Sequence, residues 1–197
     1  MTHRSRKTDD VGPISVPPVM DEAAREVYVV GVVTPETAGA VVAAIRRLDR
    51  SRGAIHLVVI SSGGDEAGGW AIYDTLRLCA NKTVAEAYGE CHSIAALVLQ
   101  GCDLRLLAPG CRMLVHNGSV NMEATISQLR STAAEALHLT DLYYGVLAQR
   151  SGLTVAEVRR LCDAETYLSA TAAVESGLAD AVIVASPQSS KKRKYHK

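Results

Sequence analysis

In the stretch Gly89-Glu90-Cys91-His92-Ser93-Ile94 a thiol, an imidazole and a hydroxyl follow one another. They stand where a strand-like run over 83–89 gives way to an apolar, helix-like run over 93–102. A serine becomes a nucleophile when a neighbouring base takes its proton. A strand-to-helix junction suits that chemistry. It exposes the side chain at the carboxyl end of a parallel sheet, among free backbone N–H groups at the positive end of a helix dipole. The same junction also favours serine as a plain N-cap, and the residues alone leave both readings open for Ser93. The spacing is not G-x-S-x-G, because Gly89 stands four residues before the serine.

Two further pieces could complete such a site. The segment "SSGGDEAGG" (61–69) follows a buried apolar strand and precedes a helix. It lacks the G-x-x-x-x-G-K-[ST] and G-x-G-x-x-G spacings of phosphate loops. Its glycines either make a tight turn or leave backbone N–H groups unhindered to face a developing oxyanion. The third piece is His116, which closes the apolar run "CRMLVH" just before the turn "NGS". His56 falls mid-strand, His138 mid-helix, and His3 and His196 near the ends. His92 adjoins Ser93, and neighbours at such a turn point apart, so His116 is the better candidate base.

These residues must be positioned by a framework, and the pattern of apolar runs supplies one. Strands are expected at 26–33, 54–60 and 83–89, in "DLRLLAP" and "CRMLVH", and in the final "ADAVIVA". Helices are expected from Pro35 to Leu48, over 70–79 and 93–102, and over 123–152 with Gly152 just past the end. Two more follow, in "TVAEVRRLC" with a Thr154–Glu157 capping box, and in "SATAAVESG". Alternating strands and helices imply an α/β fold with a mainly parallel sheet. Residues 1–18 read as a loosely attached, disordered segment, 19–186 as the folded domain, and 187–197 as a basic, disordered tail.

Composition limits the function. Hydrophobic residues make up 48% of the 197, with no Phe and one Trp, so Ala, Val, Leu and Ile must build the core. The formal net charge is +0, yet the tail "KKRKYHK" holds five basic residues; the other 190 hold 16 Lys or Arg against 21 acids. A mildly acidic body is not a nucleic-acid binder. The cysteines at 79, 91, 102, 111 and 162 show no C-x-x-C, so neither a zinc site nor a redox motif is signalled. No apolar run approaches the ~20 residues of a membrane span, and no signal region opens the chain. The expectation is a cytoplasmic protein with no metal or cofactor.

Over residues 26–185 the sequence resembles the Clp protease proteolytic subunit, ClpP. "VISSGGDEAGGWAIYDTLR" is similar to that family's I-N-S-P-G-G-x-x-x-A-G-x-A-I-Y-D-T segment, and "YGECHSIAALVLQGC" to its G-x-A-A-S-M-G-A segment. "PGCRMLVHN" resembles P-N-S-R-V-M-I-H-Q, and "DAETYLSATAAVESGLADAVI" resembles D-R-D-x-F-L-S-A-x-E-A-x-x-Y-G-L-I-D-x-V-I. The resemblance implies a ClpP/crotonase-like spiral of strand-helix units with a protruding long helix. It implies a serine endopeptidase acting on unfolded polypeptide, with Ser93 as nucleophile and His116 as base. Gly63 and Gly64 would form the substrate-binding loop, and the N–H groups of Gly64 and Ile94 would hold the oxyanion. It further implies a ring-forming homo-oligomer served by an AAA+ ATPase unfoldase. The sequence departs from the pattern at Ile60 and Ser62, for Asn and Pro, and at Ile94-Ala95, for Met-Gly. The segment after His116 is shorter and lacks Gln-Pro. Glu165 stands at the place of the catalytic Asp, with Asp163 as the competing acid on the same face of an extended segment. A non-catalytic ring subunit, and a crotonase-like acyl-CoA enzyme, are the alternative readings.

Overall fold

The structure, a computed structural model, describes residues 19–119 and 123–184. The expected N-terminal segment and the basic tail lie outside the described residues. Eight strands form one sheet: β1 (Met20–Asp21), β2 (Glu26–Val33), β3 (Ile55–Gly64), β4 (Thr83–His92), β5 (Leu104–Leu107), β6 (Arg112–Val115), β7 (Thr166–Ser169) and β8 (Ala181–Val182). Between them run α1 (Pro35–Leu48), α2 (Glu66–Arg77), α3 (Ile94–Gln100), α4 (Ile126–Ser151), α5 (Val155–Asp163) and α6 (Ala170–Glu175). The main path is β1-β2-β3-β4-β5-β8, parallel except at the β1 edge.

The helices start where local chemistry predicts. Thr34 caps α1 ahead of Pro35, and the boxes Thr125–Gln128 and Thr154–Glu157 open α4 and α5. Gly152, in the left-handed region, ends α4. The core is aliphatic: Ile55, Leu57, Val59, Ala85 and Ala87 are fully buried in the central strands, and all seven residues of α3 are buried.

Three expectations need correction. Ser61–Gly64 is strand, not loop, because β3 continues in register with Val32 and Val33 of β2 and with Cys91 of β4. The following helix begins at Glu66, four residues before the expected start, because the Asp65 side chain accepts the Gly68 N–H and caps it there. Asp163 belongs to the last turn of α5 rather than to an extended segment, so strand alternation does not relate it to Glu165.

The decisive feature is in β4. Its first half pairs with β5, from Val84↔Leu104 to Ala87↔Leu107, and its second half with β6, from Glu90↔Arg112 to His92↔Leu114. Against β3 the register moves from Val59↔Ala87 to Ser61↔Cys91, so β4 spends two extra residues there, around Gly89. The bulge bends the strand and delivers its end to a new neighbour. β6 in turn pairs antiparallel with β7, so β4, β6 and β7 form a second wing beside the main path.

A buried polar network ties the ends of α3, α4 and the last strand together. Arg105, 4% exposed, donates to both carboxylate oxygens of Asp180, to Gln100 Oε1 and to the carbonyl of Arg150. Burial on its own would raise the Asp180 carboxyl, but hydrogen bonds from the Arg105 side chain and backbone, with the charges of Arg105 and Arg150, hold it below the usual carboxylate range. A depressed folded pKa stabilises the protein above the unfolded value and is lost as pH falls through the folded one. Asp180→Asn should therefore cost about 3 kcal/mol at neutral pH, the low end for a pair that is partly open to solvent. Urea unfolding followed by circular dichroism should show that cost shrinking as the pH is lowered below 4 or so; a cost independent of pH would contradict the assignment.

Candidate active site

Ser93 lies between β4 and α3 with φ 56° and ψ −125°, a left-handed φ that is uncommon outside glycine and costs on the order of 1–3 kcal/mol. The turn is held by the Ser93 N–H, which donates to the Leu114 carbonyl of β6 at 2.9 Å, and by the Ser93 carbonyl, which accepts from Ala96. The side chain makes no capping bond to α3. The hydroxyl is thus not used as an N-cap, and the backbone is bent to present it.

The residues preceding it are disposed differently. Cys91 is completely buried, and burial, then the neighbouring Cys111, pushes its thiol far up, so no thiolate is available there. The His92 ring lies edge-on to Tyr167 of β7, its centroid 5.6 Å away, with Nδ1 3.6 Å from Glu90 Oε2. Ser93 instead opens into a cavity of about 380 Å³ lined by Gly64, Asp65, Glu66, Ile94, His116 and residues of the following turn, with Thr140 and Tyr143 of α4 behind. His92 does not line it.

His116 follows directly on β6, and the β4–β6 pairing carries it to the same cavity as Ser93. No hydrogen bond joins the two side chains. Such bonds are often long before substrate binds. Asn117, which sequence reading assigned only to a turn, anchors the chain here. Its Nδ2 donates to Asp163 Oδ1 at 2.9 Å and its Oδ1 accepts from the Tyr144 hydroxyl at 2.5 Å. Asp163 is thereby committed to Asn117. The β6–β7 ladder runs from Arg112↔Ser169 to Val115↔Thr166 and ends there, so Glu165 directly precedes β7 as His116 directly follows β6. Glu165 is exposed, with φ 46°, and no ion pair links it or Asp163 to His116.

The glycine strand completes the wall. Ser61, fully buried, accepts the Gly63 N–H on its Oγ at 3.1 Å, and so fixes that peptide. Gly63 has φ +94°, and a Cβ there would stand 2.8 Å from both the His92 carbonyl oxygen and Ser93 Cβ. Only glycine lets β3 press against the Ser93 turn. Gly64 lies on the cavity, and Ile94, the first residue of α3, has an N–H with no intrahelical acceptor. A group placed between Ser93 and His116 would meet backbone N–H groups, a hydroxyl and an imidazole.

A family model described as Clp protease matches residues 19–186. The chain belongs to the Clp protease family. The mixed α/β, largely parallel sheet agrees with the ClpP fold, and membership makes this a ClpP-like peptidase domain. Among the described residues no helix is long and apolar enough to cross a membrane, and no group of three or more His, Cys, Asp or Glu is placed to hold a metal ion.

The contact between Gly63 and the Ser93 turn can be separated from the general cost of a left-handed residue. Gly89 has φ +64° but open space where a Cβ would go. Both Gly63→Ala and Gly89→Ala should lower the melting temperature. Only Gly63→Ala should slow labelling of Ser93 by a small fluorophosphonate, by about 10²-fold or more, the loss that displaced catalytic geometry causes. Equal labelling rates in the two variants would remove the proposed role of the contact.

Proposed function

We propose that this chain is the catalytic subunit of a ClpP-like serine endopeptidase that cleaves unfolded polypeptide by acyl-enzyme chemistry. The observation that carries the reading is the strained Ser93 turn, whose uncapped hydroxyl shares one cavity with His116. Ser93 Oγ attacks the scissile carbonyl while His116 takes its proton. His116 then gives that proton to the leaving amine, and water repeats the sequence to release the acyl group. The N–H groups of Gly64 and Ile94 receive the oxyanion, with Gly63 letting the end of β3 lie against the Ser93 turn. Glu165 fixes the second ring nitrogen of His116. Its position just before β7, whose Thr166 pairs with Val115, supports this role over Asp163, which Asn117 already occupies.

Ser93→Ala should reduce hydrolysis of a fluorogenic peptide by at least about 10⁴-fold without changing the fold. Glu165→Gln should lower kcat by about 10²–10⁴-fold, and Asp163→Asn by much less. Full activity in Ser93→Ala would refute the nucleophile; the reverse order of the two amide variants would reassign the acid. A second reading, a structural ring subunit without activity, draws on the missing contact between His116 and either acid. Fluorophosphonate separates the two, since an inactive subunit leaves Ser93 unmodified.

We also assign the chain to a ring-forming homo-oligomer that encloses its active sites and receives unfolded chains from an AAA+ ATPase. Support comes from α4, whose buried residues are all at Tyr143 or beyond, while Ile126, Leu129 and Leu137 are exposed. Such an apolar stripe on a helix needs a covering surface. Sedimentation velocity at micromolar concentration should show a species of many subunits, and Leu137→Glu should dissociate it. A monomeric wild-type chain would contradict the assignment.

A further inference from the structure

The β6–β7 ladder stops at Val115↔Thr166, one residue short of His116. Val115 is fully buried, so the chain is fixed up to that point. Beyond it the next anchor is the side chain of Asn117. Its Nδ2 donates to Asp163 Oδ1, on the last turn of α5, at 2.9 Å. Its Oδ1 accepts from the Tyr144 hydroxyl of α4 at 2.5 Å. His116 is thus held between a buried strand residue before it and a side-chain amide, clamped to two helices, after it. Asn117 lines the Ser93 cavity beside His116.

An amide satisfies both partners at once. The Asp163 carboxylate offers acceptors alone, so it must face the amide NH2. The amide oxygen is then left for Tyr144, which must donate. It can do so because its hydroxyl keeps its proton: burial, and then the neighbouring Cys162 and Asp163, raise it. Tyr144 is itself fixed. It is 3% exposed, and the Arg159 guanidinium lies 5.4 Å from its ring centroid while pairing with Asp141 at 3.3 Å. A carboxylate at 117 would set like charge against Asp163, and an apolar residue would leave the Tyr144 hydroxyl without its acceptor.

We propose that Asn117 is a positioning residue for the reaction: clamped to Tyr144 and Asp163, it sets the place of the His116 imidazole relative to Ser93. This rests on the reading of Ser93 and His116 as nucleophile and base. Asn117 takes no part in bond making or proton transfer, and its effect passes through His116. Displacing a reacting group by about 1 Å can cost about 10²-fold in rate. The clamp acts on the base rather than on the bound peptide, so its loss falls on kcat and leaves KM nearly unchanged.

The test uses the full chain. A fluorogenic peptide gives kcat and KM, a small fluorophosphonate gives the labelling rate at Ser93, and the melting temperature is recorded beside them. Asn117→Ala should lower kcat and the labelling rate by about 10–10²-fold and change KM by less than about twofold. Tyr144→Phe keeps the ring, removes the donor and should give a loss of the same order. The two changes together should lose little more than the worse of them alone, since they break one contact. Asn117→Asp should also lose rate. Adding Asp163→Asn to it should restore the rate to within about threefold of the wild type, because amide and carboxylate have then exchanged places. Asp180 does not line the cavity, so Asp180→Asn should lower the melting temperature without this loss of kcat. Full kcat in Asn117→Ala, or a loss confined to KM, refutes the role while Ser93 and His116 stand. Failure of the exchange to restore the rate refutes it equally, and decides the matter if Asn117→Ala does not fold. If the wild-type chain neither cleaves the peptide nor is labelled at Ser93, the peptidase reading falls and takes this inference with it.

Discussion

The change of partner in β4 is the constraint from which the site follows. A strand that stayed beside β5 would not reach β6, the strand that leads directly to His116. The two extra residues around Gly89 turn the strand toward β6. The Leu114 carbonyl then accepts the Ser93 N–H, and the following residues of that wing carry His116 to the cavity. β7 pairs with the far side of β6 as far as Val115↔Thr166. One local irregularity thus joins three segments that are distant in sequence. Its energetic penalty, an unusual φ at Ser93, is offset by a fully buried α3 immediately behind it.

Much of the framework was legible in the sequence because it depends on local patterns. The run "EVYVVGVV" is β2 from end to end, and the capping boxes at Thr154 and Gly152's place after the long helix required only spacing rules. The failures occur where tertiary pairing overrides local signals. "SSGG" looks like a turn by composition, but Ser61 is buried and hydrogen-bonded, and neighbouring strands hold it extended. β7 has only four residues, none fully buried, so its apolar pattern is too short to stand out. Asp163 reads equally well as loop or helix end, and the helix runs on to include it.

For the site, the sequence could point to Ser93, His116 and the glycine segment as separate candidates. Their convergence depends on β4 pairing with β6, which no periodicity reveals. Asn117 was missed for the same reason: an Asn before Gly signals a turn, and its bonds to Asp163 and Tyr144 reach across two other elements. Asp65 and Glu66 fell within the segment 61–69 that was expected to be a loop, and were given no role. Their part in the cavity wall appears only when α4 is set opposite them.

The disposition of α4 has a mechanical consequence. It is a cantilever, clamped to the domain at Tyr143, Tyr144, Leu147 and Ala148, with its other end projecting beyond the support. Thr140 and Tyr143 sit at the root of the beam and also form the rear of the cavity. Bending moments are greatest at the root. A force applied near Ile126 therefore has the length of the helix as its lever arm, and displacement of the distal end loads the residues that form the rear of the Ser93 cavity.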